Sequence, residues 1–248
     1  MSTFETKTGI VNPKSADLAE SLLPEDHLGE KASVMVNQLD AMLNLQDDVN
    51  TKIDSEWVIR GRPWSRAIWI ECGEMMDHIG YKWWKSCPID IDQVRLEIVD
   101  VWHFALSIYC EMGVDEYDLA PVFEDSLLVA PEIARQDVMV LVCEDLAKST
   151  LSSPSFPLNK FIAMMNAAGM TMNDLYSQYV GKNVLNTFRQ DHGYKDGTYI
   201  KEWEGEEDNV VLSNIVSGLD VADVEFPVIL RHALEQTYSE VIAGAPSL

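Results

Sequence analysis

Basic side chains are scarce in this chain: 18 Lys+Arg stand against 41 Asp+Glu in 248 residues, a formal net charge of −23 with His neutral. A sequence-independent grip on nucleic acid needs a basic footprint, so that class of function is excluded. Docking on an anionic membrane is disfavoured for the same reason. Long apolar runs are also missing. None approaches the ~18 residues of a membrane span, and the first twenty residues lack the apolar core of a secretory signal. A cytoplasmic or nuclear protein is therefore expected. Cysteine is limited to Cys72, Cys87, Cys110 and Cys143, with no Cys-x-x-Cys spacing. Two of them sit inside apolar helical patterns, as free buried thiols of a reducing compartment do. Neither an internal repeat nor a convincing period-2 alternation is present.

What is present is ordinary globular material, with 47% apolar residues, enough for a sizeable core and too many for a disordered acidic chain. Residues 1–33 are polar, with Pro13 and Pro24, and read as an irregular lead-in. Apolar residues then recur near the 3.6 period from Val34 to Asn50. A second helix is expected over Trp64–Ile79, between Pro63 and Gly80. A third is expected over Ile91–Met112, closed by Gly113. The middle, 114–160, reads as divergent and open to movement, with helical pieces at 115–127 and 131–149 and a hinge-like loop at 149–154. Helices at 157–168 and 171–187, a Gly-rich polar stretch at 191–209 and a last helix at 222–242 complete an all-α helical bundle. The expected organisation is the lead-in followed by one catalytic domain, 34–248.

Two pairs of acids carry the chemistry. Glu71 and Glu74 on the second helix, and Glu97 and Asp100 on the third, each lie at i, i+3 and hence on one helical face. Their neighbours on that face are apolar: Ile68 and Met75 beside Glu71, Val94 and Val101 beside Glu97. Carboxylates in such stripes are costly unless paired or bound to metal. On antiparallel helices the four would converge into a hard-oxygen site suited to Mg²⁺ or Mn²⁺, completed by water and substrate phosphates. The plainer alternative is two amphipathic helices whose acids meet Lys or Arg. A di-iron bundle wants Glu-x-x-His, which neither pair supplies. His103, three residues after Asp100, reads as a helix histidine or as a support for the site.

Gln46 and Asn50, at i, i+4 on the first helix, offer the donors and acceptors that a pyrimidine edge requires; as solvent-facing amides they would do nothing. Lys82-Trp83-Trp84-Lys85 supplies either core anchors or one ring beside a nucleoside. Residues 182–201 concentrate Lys182, Arg189, Lys195 and Lys201 around Gly193 and Gly197 in a chain otherwise starved of cations. They form either a polar loop or a phosphate grip that closes over its ligand.

In this order and spacing, Leu45-Gln46-Asp47-Asp48-Val49-Asn50, Glu71-Cys72-Gly73-Glu74-Met75-Met76-Asp77, Tyr81-Lys82-Trp83-Trp84-Lys85, the run from Glu97 to Phe104 and the run from Gly181 to Tyr199 resemble the dimeric, all-α dUTP pyrophosphatases, relatives of MazG-type nucleotide pyrophosphatases. The resemblance covers about 34–110 and 170–212. It implies hydrolysis of dUTP to dUMP and pyrophosphate, with dUDP left open, by a homodimer. It implies Mg²⁺ ions, with Mn²⁺ as a substitute, on Glu71, Glu74, Glu97 and Asp100, one of the first two acting as base. It places uracil on Gln46 and Asn50 with help from Asn186, the sugar beside Lys82 and Trp84, and the phosphates on Lys182, Arg189, Tyr194, Lys195 and Lys201. Asp191 and His192 depart from the pattern, and Asp191 is expected to point away from phosphate. The alternatives are a pyrophosphatase of dCTP or a modified pyrimidine nucleotide and, from another class, an acidic inhibitor that mimics DNA.

Overall fold

The computed structural model describes residues 25–244. Their helices are α1 (Glu25–Ile53), α2 (Trp57–Arg60), α3 (Trp64–Ile79), α4 (Ile91–Met112), α5 (Glu116–Ser126), α6 (Gln136–Ser152), α7 (Leu158–Ala167), α8 (Met172–Asp191), α9 (Asp208–Ser217) and α10 (Phe226–Gly244). The expected all-α class is what forms. The one addition is a two-stranded antiparallel ribbon, β1 (Glu202–Trp203) with β2 (Glu206–Glu207). It lies within the stretch read as irregular, and two residues per strand are too few to show a period.

Local chemistry explains the boundaries. Gly80 ends α3 at φ +77°, its N–H returning to the Asp77 carbonyl at 3.0 Å. A Cβ there would stand 2.4 Å from the Cys87 carbonyl oxygen, so the turn into α4 requires glycine twice over. Asp90 caps α4 by accepting from the Gln93 N–H at 3.3 Å. Asp115 and Thr171 open α5 and α8 with capping boxes. Three expectations need correction. α1 starts at Glu25, within the supposed lead-in, because polar residues before Val34 continue the helix; residues 1–24 lie outside the described part. α9 was not foreseen, since it follows the ribbon directly without a side-chain cap. The middle segment is no loose insert either. Phe123 of α5 and Met139, Cys143 and Leu146 of α6 are buried in the common core.

At the centre of that core Trp102 stacks on Phe161 (centroids 4.9 Å apart, planes at 15°) and meets Phe123 edge-on at 5.7 Å. Its indole N–H points to the Met42 sulfur at 3.3 Å. One fully buried residue thus ties α4 to α1, α5 and α7. α3 and α4 form an antiparallel hairpin. Trp64 stacks with Phe104 at 6.1 Å and donates to Glu111 at 2.8 Å, while at the other end the Asp90 N–H reaches the His78 carbonyl at 2.9 Å. From α6, Gln136 donates to the Ile79 and Gly80 carbonyls at 2.8 and 2.7 Å, fixing the end of α3. This hairpin brings the acids together.

Candidate functional site

Glu71, Glu97 and Asp100 each present a carboxylate oxygen within 4.8 Å of the others. Glu97 is buried, and Glu71 and Asp100 are half-buried. Glu74, expected as the fourth member, is exposed and outside this group. The helix turns about 100° per residue, so three residues carry Glu74 some 60° around α3 from Glu71, towards solvent. Its charge still reaches the site. Burial, then repulsion from Asp100, Glu74 and Glu97, pushes the Glu71 carboxyl up to about 7. Burial, with Asp100 and Glu74, also raises that of Glu97. Glu71 and Glu97 stand close enough to hydrogen-bond when one of them is protonated. The cations nearby are Lys182 of α8, paired with Asp100, and His78, 3.6 Å from Glu97 when protonated. Oxygen ligands in surplus negative charge fit a hard divalent cation.

Glu97 and Asp100 face a cleft of about 700 Å³ between α4, α8 and α9. Glu97, Asp100, Lys182, Asn186 and Arg189 line it, and α9 contributes Asn209 and Ser213. Arg189, expected to grip phosphate, spends most of its guanidinium elsewhere. Nε and Nη2 form a bidentate pair with Asp208 at 2.7 Å each, and Nη2 also reaches Asn209 at 3.0 Å. Only Nη1 turns towards Asn186, at 3.4 Å. Asp208 is fully buried. Burial pushes its pKa up, but the bonds from Arg189 and from the Tyr199 hydroxyl (2.8 Å) outweigh this and hold it below the usual range. Asp208 escaped notice in the sequence because its partners, Arg189 and Tyr199, are nineteen and nine residues away, across a ribbon that has no pattern.

The remaining candidates are more dispersed. Tyr194 is exposed, with the Arg189 guanidinium 5.9 Å from its ring. Lys195 is exposed, and Lys201 pairs with Glu207 at 3.5 Å. The loop carrying them is closed on itself rather than unstructured, with Tyr194 N–H to Arg189 O at 2.9 Å and Thr198 N–H to Gly193 O at 3.1 Å. Asp191 does turn away, to Arg231 at 3.1 Å and Lys52 at 3.8 Å. Lys82 pairs with Asp77. Trp84 stands 59% exposed in a turn, edge-on to Tyr81 and Trp83; no helix forms there to send the two tryptophans to opposite faces.

Gln46 and Asn50 are buried, not solvent-facing. They bond to one another at 3.1 Å and to Ser107 of α4. His103 Nδ1 and the Tyr179 hydroxyl meet Gln46 Oε1 at 3.0 and 2.9 Å. This polar network sits on α4 one to two turns beyond Asp100. The network and the acids are therefore about 5–10 Å apart along one helix.

With this geometry in view, comparison with known proteins is direct. The family model described as dUTPase matches residues 38–194, from α1 through the acid-bearing hairpin to the start of the Gly-rich loop. No curated protein matches the chain. A dUTP-hydrolysing family sets aside the DNA-mimic alternative. The matched span is more than half of the 248 residues and holds both the acids and the amides, and the chain therefore belongs to the all-α dUTPase family, a family of dUTP diphosphatases.

Proposed function

We propose that the protein cleaves dUTP to dUMP and pyrophosphate in a Mg²⁺-dependent reaction, with Mn²⁺ as a substitute. The observation that carries this reading is the convergence of Glu71, Glu97 and Asp100, two of which, Glu97 and Asp100, line the cleft. The bound cation would supply neutralisation of the triphosphate and a more acidic water. Glu71, Glu97 and Asp100 would hold it, with Glu74 adding charge from the rim. One of the α3 carboxylates, Glu71 or Glu74, would take the proton of the attacking water. Lys182, at the cleft wall, offers its ammonium to a phosphate oxygen, and Arg189 contributes Nη1. The amide pair, on α1, bonds to His103 and Ser107, which stand about 5 and 10 Å along α4 from Asp100. This spacing supports uracil at the network and phosphates at the acids.

A homodimer is part of the same proposal. Trp69 and Ile70 stand 55% and 56% exposed, side by side on the outer face of α3, an apolar patch that a second copy would cover. No helix among the described residues is long and apolar enough to cross a membrane.

The deciding experiment is pyrophosphate release from a panel of deoxynucleoside triphosphates, with Mg²⁺ or with EDTA. Turnover of dUTP that requires Mg²⁺ is expected, together with near-complete loss in the isosteric Glu97→Gln and a smaller loss in Glu74→Gln, whose exposed position leaves the fold intact. EDTA-resistant hydrolysis, or normal turnover by Glu97→Gln, would overturn the metal site.

A further inference from the structure

An amide can be turned over with almost no change in shape, so a buried Asn or Gln reads a base only if its neighbours fix which end is oxygen. Gln46 Nε2 and Asn50 Nδ2 converge on one oxygen, Ser107 Oγ, at 3.2 and 2.9 Å. A hydroxyl has two lone pairs and one hydrogen. The two amide N–H groups fill the lone pairs, and the hydrogen goes to the His103 carbonyl at 3.1 Å. Turn both amides over and two carbonyl oxygens compete for that single hydrogen.

The far end of the network points the same way. Burial, with the charge of Lys182, pushes the His103 ring down to about 3, so at neutral pH it carries one N–H. Placed on Nδ1, that N–H serves Gln46 Oε1 at 3.0 Å. Nε2, buried without a partner, is then left as a lone pair. If Gln46 were reversed, the proton would have to move to Nε2 and become an orphaned buried donor, the costlier outcome. The Tyr179 hydroxyl stands 2.9 Å from Gln46 Oε1 and 3.2 Å from the Met42 carbonyl with one hydrogen for the two, so the direction of the amide rests on Ser107 and His103. Both hydrogens of the Gln46 amide are engaged within the protein, by Asn50 and Ser107, and its oxygen meets His103 and the Tyr179 hydroxyl. Asn50 retains one N–H and one lone pair.

We propose that Ser107 and His103 are positioning residues that fix the direction of the Gln46–Asn50 amide pair and thereby set the base preference, with Gln46 holding Asn50 rather than touching the base. This rests on the reading that the α1 amides meet the pyrimidine. Uracil and cytosine differ by exchange of donor and acceptor at ring nitrogen 3 and at the substituent on carbon 4. An Asn50 that cannot turn over therefore suits one of them and opposes the other.

The test compares kcat/KM for dUTP and dCTP at saturating Mg²⁺ in the parent, Ser107→Ala and Ser107→Cys. Cysteine keeps the volume of this fully buried position should alanine impair folding, and its sulfur accepts hydrogen bonds poorly. The expected result is a fall of about tenfold in the dUTP:dCTP ratio (about 1.4 kcal/mol) in either folded variant, seated in KM, with inhibition by inorganic pyrophosphate unchanged. A parental ratio in the folded variants, or equal loss on both nucleotides, would reduce Ser107 to a packing role and overturn the inference. A parent that hydrolyses both nucleotides equally would instead overturn base reading by the α1 amides, a distinguishable failure.

Discussion

Neutralising Glu71 is expected to stabilise the metal-free protein, which is the reverse of what removing a useful side chain does. In the fold its carboxyl is pushed up from 4.5 to about 7 by burial and by Asp100, Glu74 and Glu97. At ~1.4 kcal/mol per tenfold, that interval corresponds to about 3 kcal/mol for a site closed to solvent. Glu71 is only half-buried, and screening reduces the figure to about 1–2 kcal/mol. For a chain of this size that is roughly 3–6 °C in Tm. The sign follows from proton uptake. Between pH 4.5 and about 7 the folded state keeps a proton that the unfolded chain releases, so stability falls as pH rises through that window and levels off above it. Glu71→Gln removes the group that titrates. Its advantage should be full at pH 8 in EDTA, shrink through the window and vanish below it.

Thermal unfolding followed by circular dichroism, in EDTA and across this pH range, measures the effect. Excess Mg²⁺ should then reverse the order, because the parent gains stability by binding the ion and the variant has lost a ligand. A variant equal to or less stable than the parent at pH 8 in EDTA would refute the crowding of charge at this site. So would an advantage that does not change with pH.

Two further outcomes follow from pairings that the fold has made. Arg189→Ala should destabilise the nucleotide-free protein by about 3–5 kcal/mol, since it leaves the fully buried Asp208 uncompensated; urea unfolding checks this, and the double variant Arg189→Leu/Asp208→Leu should recover most of the loss. Trp69→Lys should raise the dimer dissociation constant at least about tenfold by placing a charge in the exposed patch on α3; sedimentation across a concentration series would read it, and an unchanged constant would move the interface elsewhere.

The hairpin of α3 and α4 was legible from sequence because Pro63, Gly80, Asp90 and Gly113 are local signals, each acting through the backbone within a turn of its own position. The acids were legible as candidates because helical spacing is local too. Which of them converge was not, since Glu74 and Glu71 differ only by rotation about α3, and packing against α4 decides which one is enclosed. α9 and the ribbon were missed because both lie between turns, carry no cap and depend on the Asp208–Arg189 pair, whose members are nineteen residues apart. The burial of Gln46 and Asn50 was equally hidden. Their amides look solvent-facing until Ser107, on another helix, supplies the oxygen on which both converge.

The use of cations explains why the basic loop misleads when read alone. A chain with 18 basic residues and 41 acids has few to spare, and the fold commits most of its arginines to its own carboxylates. Arg60 and Arg62 sit on Asp54, Arg231 on Asp191 and Glu235, and Arg189 on Asp208. Lys182 differs, because its partner is Asp100, one of the acids proposed to hold the metal. Asp100 cannot serve an ammonium and a divalent ion at full strength together. On the proposed reading, the ion that neutralises the acids therefore also loosens Lys182, beside the cleft where the phosphates would lie. The residue that balances the empty site is then the one best placed to bind the substrate of the filled one.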